Sequence, residues 1–130
     1  MNNPLSISQH GLITGCSKGI GLAAAARMLK TGYKITGISR SQSKALLKLK
    51  SLYPSSFTFY QSNLSTDTLS ESSELNDLLN SYAFDFAILN AGIRSRKSLP
   101  LSKKELFASV FDANTLMPIL LSKILSETSI

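Results

Sequence analysis

Eight residues near the start of the chain, Thr14-Gly15-Cys16-Ser17-Lys18-Gly19-Ile20-Gly21, have the types and spacing of an anion site. A short apolar run, Leu12-Ile13, precedes them, and an alanine-rich segment from Leu22 to Met28 follows. That order reads as strand, glycine-rich turn and helix N-terminus. The first backbone N–H groups of a helix have no partner within it, and the aligned peptide dipoles add partial positive charge there. Glycines let a diphosphate approach the main chain where a Cβ would collide with it. The chemistry open to these residues is to cradle the diphosphate of a dinucleotide. A Walker loop would need Gly-Lys followed by Ser or Thr; Lys18 is followed by Gly19, which excludes it. The usual Rossmann spacing, G-x-G-x-x-G, is also absent, and T-G-x-x-x-G-x-G stands instead.

Charge placement adds to this. From Met1 to Thr66 there is no Asp or Glu, while eight residues are basic: Lys18, Arg27, Lys30, Lys34, Arg40, Lys44, Lys48 and Lys50. A free ribose 2′-hydroxyl is normally held by a carboxylate about 20 residues beyond the glycines, at the end of the second strand. Ser39-Arg40-Ser41 stands there instead. The Arg40 guanidinium is a planar fork of donors suited to a phosphate, and it stays charged at any physiological pH. Lys18 can approach from the glycine loop. The adenosine 2′-phosphate of NADP fits this pair, so NADP is favoured over NAD.

The elements that must position these residues alternate. Leu12-Ile13 is the first strand. Ile20 to Leu29 is the first helix, with Ile20, Ala24 and Met28 on its inner face and Gly32 as its stop. Lys34 to Ser39 is a second strand. Ser43 to Tyr53 is a second helix, with Ala45, Leu49 and Leu52 inward, ending before Pro54. Phe57 to Gln61 is a third strand. Thr68-Leu-Ser-Glu71 has the form of a capping box, leading a third helix whose Leu75, Leu78, Leu79 and Tyr82 keep helical spacing. Phe84 to Asn90 is a fourth strand, and Ser102-Lys-Lys-Glu105 is a second capping box before a long helix with Leu106, Val110 and Met117 inward. Such alternation implies an α/β fold: a Rossmann-like, doubly wound parallel sheet in strand order 3-2-1-4 with helices on both faces. Ligands of these sheets bind at the carboxyl ends of the strands where the order reverses, and the glycine loop is placed there.

Two further motifs follow in order. The fourth strand ends in Asn90-Ala91-Gly92, and the long helix carries Asn114 in Phe111-Asp-Ala-Asn114. With the glycine motif these residues resemble the short-chain dehydrogenase/reductase family, from Gly11 to about Ser126. The resemblance implies hydride transfer between NADP(H) and a small-molecule alcohol or carbonyl. It implies cofactor contacts from Thr14, Gly15, Ser17, Lys18, Gly19, Ile20, Gly21, Ser39, Arg40, Ser41, Asn90, Ala91 and Gly92. The family usually has Asp before an aliphatic residue after strand three; here it is Asn63-Leu64, whose amide oxygen can still accept from the adenine amino group. Pro118 cannot donate to the carbonyl of Asn114, and a break costing on the order of 3 kcal/mol leaves that oxygen free. In the family the equivalent carbonyl holds a water of the proton relay, so Asn114 is the catalytic residue that the resemblance assigns. The family's catalytic Ser and Tyr-x-x-x-Lys pair are expected later in the fold. The residues four beyond Tyr33, Tyr53, Tyr60 and Tyr82 are Gly37, Phe57, Leu64 and Phe86, none of them lysine. A single, shortened NAD(P)-binding domain over residues 1–130, inactive by that route, is therefore expected. Its fourth strand would become an apolar edge that invites self-association.

The remaining composition narrows the class. The size supports one domain with one core, and no run approaches the length needed to span a membrane. The first eight residues carry no basic residue and no long apolar stretch, so no secretory signal is expected. One cysteine can form no internal disulfide and has no metal-ligand spacing around it, which makes a reducing cytosol the expected home. Cys16 reads as a small loop filler and His10 as a surface residue. Two other functions are compatible with the sequence. One is a nucleotide-binding module without catalysis. The other is a nucleic-acid binder using the basic half and Arg94-Ser-Arg96-Lys97, which lacks the interleaved aromatics such binding favours.

Overall fold

The computed structural model describes residues 9–62 and 73–91, together with Pro118, Ile119, Leu121, Ser122 and Leu125 of a C-terminal helical stretch. Strand β1 (His10–Thr14), helix α1 (Gly19–Thr31), strand β2 (Lys34–Ser39), helix α2 (Lys44–Leu52), strand β3 (Phe57–Gln61), helix α3 (Ser73–Ser81) and strand β4 (Phe86–Leu89) follow one another. All pairings are parallel and the sheet order is β3-β2-β1-β4, as the alternation requires. Thr14 pairs with Ile38 on one side and Leu89 on the other, so these strands end level with one another and their connecting loops share one edge.

Successive residues of β1 face opposite sides of the sheet and feed two cores. Ile13 packs with Ala25 and Leu29 of α1 and with Leu46 and Leu49 of α2. Leu12 packs with Leu75 and Leu79 of α3 and with Leu121 and Leu125 of the C-terminal stretch. Burying each such leucine is worth about 1.5–3 kcal/mol relative to leaving it in water. This two-sided burial explains why the buried positions of β1 and β2 run consecutively, without alternation of buried and exposed residues. Among the described residues β4 forms one edge of the sheet and β3 the other.

Several details depart from expectation. The inner face of α1 is Gly21, Ala25 and Leu29, one residue on from the expected set, while Ile20 is 78% exposed. One residue is about 100° of helix rotation. The rotation follows from the need to press Gly21 against the glycine loop, where a Cβ would lie 2.2 Å from the Gly15 carbonyl oxygen. In α2 the buried residues are Leu46 and Leu49; Ala45 is exposed and Leu52 is 60% exposed. Ser43 fixes that register by capping the helix, its hydroxyl accepting from Leu46 N–H at 3.1 Å.

Strand β1 starts earlier than Leu12, and His10 is not a surface residue. It is half-buried, with Nε2 2.7 Å from the Thr36 hydroxyl and its ring edge-on to Tyr82 and Phe84. Phe84 precedes β4 and is buried in the core; Tyr82 follows α3. The two capping boxes, Arg94 to Lys97, and Leu106, Val110 and Met117 lie outside the described residues.

Candidate functional site

The turn leaving β1 is built around glycines with positive φ. Gly15 has φ 68°, its N–H donates to the Ile38 carbonyl at 2.8 Å, and a Cβ there would lie 2.8 Å from the Ala91 Cα. Only glycine meets both demands. Gly19 has φ 62° at the start of α1, and a Cβ there would meet nothing within 4 Å. The space above the helix N-terminus is open.

That N-terminus is electrostatically bare. Its N-cap, Lys18, makes no capping bond through its side chain, and the first turn carries no acid. The first intrahelical bond is Leu22 N–H to the Lys18 carbonyl at 3.3 Å, which leaves the amides of Gly19, Ile20 and Gly21 to an external acceptor. Lys18, Gly19 and Ile20 are exposed. The fit to a diphosphate rests on this combination of open space, two left-handed glycines and uncapped amides.

Thr14 faces inward. It is 1% exposed, and its hydroxyl accepts from the backbone N–H groups of Asn90 and Ala91 at 3.0 Å each. The Asn90 amide donates in turn to the Gly15 carbonyl at 3.2 Å. The end of β4 is thus stitched to the glycine loop through both residues, and Asn90 and Ala91 sit directly beside Gly15 and Gly21.

On the other side lies the turn after β2. Ser39 is buried, whereas Arg40 and Ser41 are exposed. The Ser17 hydroxyl faces the Ser41 hydroxyl at 3.5 Å. The structure therefore brings Thr14 to Gly21, Ser39 to Ser41, Asn90 and Ala91 to one edge of the sheet. Asn63, Leu64, Gly92 and Asn114 lie outside the described residues. Among the described residues no group of His, Cys, Asp and Glu is arranged to hold a metal ion.

Three residues of this edge were not singled out from the sequence. Ser43 donates its hydroxyl to the Ser17 carbonyl at 2.5 Å while capping α2. Gln61 donates from Nε2 to the Arg40 carbonyl at 3.0 Å. Gly37 makes room for Cys16, since a Cβ there would lie 2.6 Å from the Cys16 Sγ. Signals existed for two of them: a serine directly before a helix, and a glycine inside a strand, which marks close approach of another group. Gln61 carried none. Cys16 is fully buried, and that burial pushes its thiol up to about 11.

The sequence profile of the short chain dehydrogenase family matches residues 9–129. The chain belongs to that family. Solved structures agree in fold. The bulky-bulky ketone specific alcohol dehydrogenase of Comamonas testosteroni is 21% identical with TM-score 0.78, the match covering 92% of this chain and 48% of that one. A short-chain dehydrogenase/reductase of Burkholderia multivorans with bound NADP is 23% identical with TM-score 0.78, over 93% of this chain and 54% of that one. A 4-hydroxyisoleucine dehydrogenase complexed with NADH and succinate is 21% identical with TM-score 0.74, over 90% and 50%. This short-chain dehydrogenase chain spans about half the length of these structures. No curated protein matches it.

Proposed function

We propose that this chain is the nucleotide-binding half of an NADP-dependent short-chain oxidoreductase acting on a small-molecule alcohol or carbonyl. The observation that carries the reading is the pairing of two exposed cationic side chains with an uncapped helix N-terminus, on a stretch of 66 residues without a carboxylate. The amides of Gly19, Ile20 and Gly21 would hold the diphosphate. Arg40, with Ser41 and Lys18, would hold the adenosine 2′-phosphate, where an Asp or Glu would repel it. Asn63 and Leu64 are assigned to adenine, and Ala91 and Gly92 to the ribose beside it. Thr14 and Asn90 hold the loop in shape, while Ser17 and Ser39 line the floor between the two phosphate positions. When bound, the nucleotide supplies or accepts a hydride at its nicotinamide.

Asn114 is assigned to the proton relay by its place four residues before Pro118. None of the four tyrosines in this sequence is followed four residues on by lysine, so nucleotide binding is the activity proposed for the chain by itself. A cytosolic setting is proposed from the single buried thiol. No helix among the described residues is long and apolar enough to cross a membrane.

Titration of the chain with NADPH and with NADH tests the reading, with Arg40→Asp as the deciding variant. Loss of a charged hydrogen-bonding partner is worth roughly tenfold or more in affinity. NADPH should lose at least that much and NADH far less. Equal losses would remove the 2′-phosphate role from Arg40. Binding of neither nucleotide, with salt-dependent binding of RNA or DNA, would replace the reading altogether.

A further inference from the structure

The turn carrying Arg40 is held at both of its ends, and neither tether is made by a residue assigned above to the nucleotide. At its start, Gln61 Nε2 donates to the Arg40 carbonyl at 3.0 Å, and Ser62 N–H donates to the Ser39 carbonyl at 2.9 Å. At its end, one hydroxyl makes two bonds. Ser43 Oγ accepts from Leu46 N–H at 3.1 Å and donates to the Ser17 carbonyl at 2.5 Å. Its donor and one acceptor position are therefore both used, and it joins the first turn of α2 to the residue just before the N-cap of α1. Between the tethers stand Arg40, Ser41 and Gln42, all exposed.

We infer that Ser43 and Gln61 are positioning residues for nucleotide selectivity, holding the Arg40 turn at a fixed offset from the glycine loop. The inference rests on the proposed NADP reading. Its physical content is an asymmetry. The glycine loop has other anchors: Gly15 N–H to the Ile38 carbonyl, Asn90 to the Gly15 carbonyl, and the packing of Gly21. Arg40 has an exposed side chain on a short turn, held by these tethers together with the Ser17–Ser41 hydroxyl contact at 3.5 Å. The diphosphate and the 2′-phosphate are separated by a fixed covalent distance in NADP. A turn free to drift relative to the loop loses the 2′-phosphate contact before it loses the diphosphate.

Ser43→Gly separates this role from helix capping, because glycine at an N-cap costs a helix only a few tenths of a kcal/mol relative to serine. It removes the link to Ser17 and leaves the start of α2 intact. NADPH affinity should fall roughly five- to tenfold, the scale of one ordinary hydrogen bond and less than the loss expected on removing the Arg40 guanidinium itself, while NADH affinity changes less than about twofold. Ser43→Thr keeps the hydroxyl and should restore the ratio. Gln61→Ala, at the other end of the turn, should lower the same ratio, and decides the matter if Ser43→Gly does not fold. A wild-type preference for NADPH that survives both Ser43→Gly and Gln61→Ala would overturn the inference and leave the NADP reading standing. Absence of a wild-type preference would overturn both.

Discussion

The hydroxyl of Thr14 accepts the backbone protons of both Asn90 and Ala91, at 3.0 Å each, across a sequence separation of 76 and 77 residues. One buried oxygen thereby serves two amides that the end of β4 would otherwise leave without a partner. It also sets the distance between the glycine loop and the segment that follows β4. The relation is mechanical first: it places Asn90 where its side chain reaches the Gly15 carbonyl.

Thr14→Val is close in shape and removes the acceptor. Leaving a buried donor unsatisfied costs about 1–3 kcal/mol. The variant should lose stability in that range by urea denaturation, as a lower midpoint with an unchanged slope. Thr14→Ser, which retains the oxygen, should lose much less. A valine variant as stable as wild type would show that the hydroxyl is dispensable.

Gly19 and Gly21 are predicted to fail in different ways. A Cβ on Gly21 would lie 2.2 Å from the Gly15 carbonyl oxygen and 2.8 Å from Asn90 Nδ2. Gly21→Ala must therefore push α1 away from the loop, and overpacking of this kind costs typically about 1–3 kcal/mol. Gly19 has open space around it, so Gly19→Val is limited to the backbone cost of its left-handed φ of 62°, about 1–2 kcal/mol, and should still fold. Its branched side chain would occupy the diphosphate's approach, so binding of NADPH and NADH should be lost together. Thermal melts paired with calorimetry separate the two. Unchanged nucleotide affinity in a folded Gly19→Val would count against the cradle.

How far the sequence could be read follows from what each feature depends on. Strand order, parallel pairing and the place of the glycine loop are set by alternation and by the handedness of crossovers, both visible in a linear pattern. Side-chain facing was less legible. Helical spacing points to Ile20, Ala24 and Met28, yet contact with the loop selects the face of Gly21, Ala25 and Leu29, with the smallest of these, Gly21, at the crowded end. His10 had no acidic neighbour in sequence, but its own backbone N–H meets the Asp85 carboxylate at 2.8 Å through the β1–β4 pairing. Gln61 likewise reaches Arg40 only because β3 lies beside β2. Contacts made across strands have no local signature.

His10 makes stability depend on pH in a stated direction. Burial lowers its pKa from the ordinary 6.5, the nearby Lys34 lowers it further, and Asp85 opposes both. Thr36, Tyr82 and Phe84 complete its surroundings. The folded state therefore takes up a proton less readily than the unfolded chain. The stability contribution is full above 6.5 and is lost as pH falls through 6.5 toward the lower folded value. His10 is the chain's only histidine, and carboxylates titrate lower, so the slope between about pH 7 and 5 reports on it. Denaturation at several pH values should show stability declining over that interval, and His10→Gln should flatten the decline. A slope that persists in His10→Gln would assign it elsewhere.

Cys16 tests which of two opposing effects governs the glycine loop. A thiol near a helix N-terminus and a lysine is normally acidified and reactive. Here burial is the larger effect and raises the pKa to about 11, with only a backbone hydrogen bond opposing it. At pH 8 the thiolate fraction is then about one in a thousand, and the sulfur has no exposed surface for a reagent to reach. Labelling of the folded chain by a disulfide reagent should run orders of magnitude slower than in denaturant, at a rate that follows opening of the structure. Gly37→Ala, whose Cβ would lie 2.6 Å from the Sγ, should displace the thiol and speed labelling. Labelling of native wild-type chain as fast as a free small thiol would mean that the loop, and with it the floor of the proposed cradle, is open.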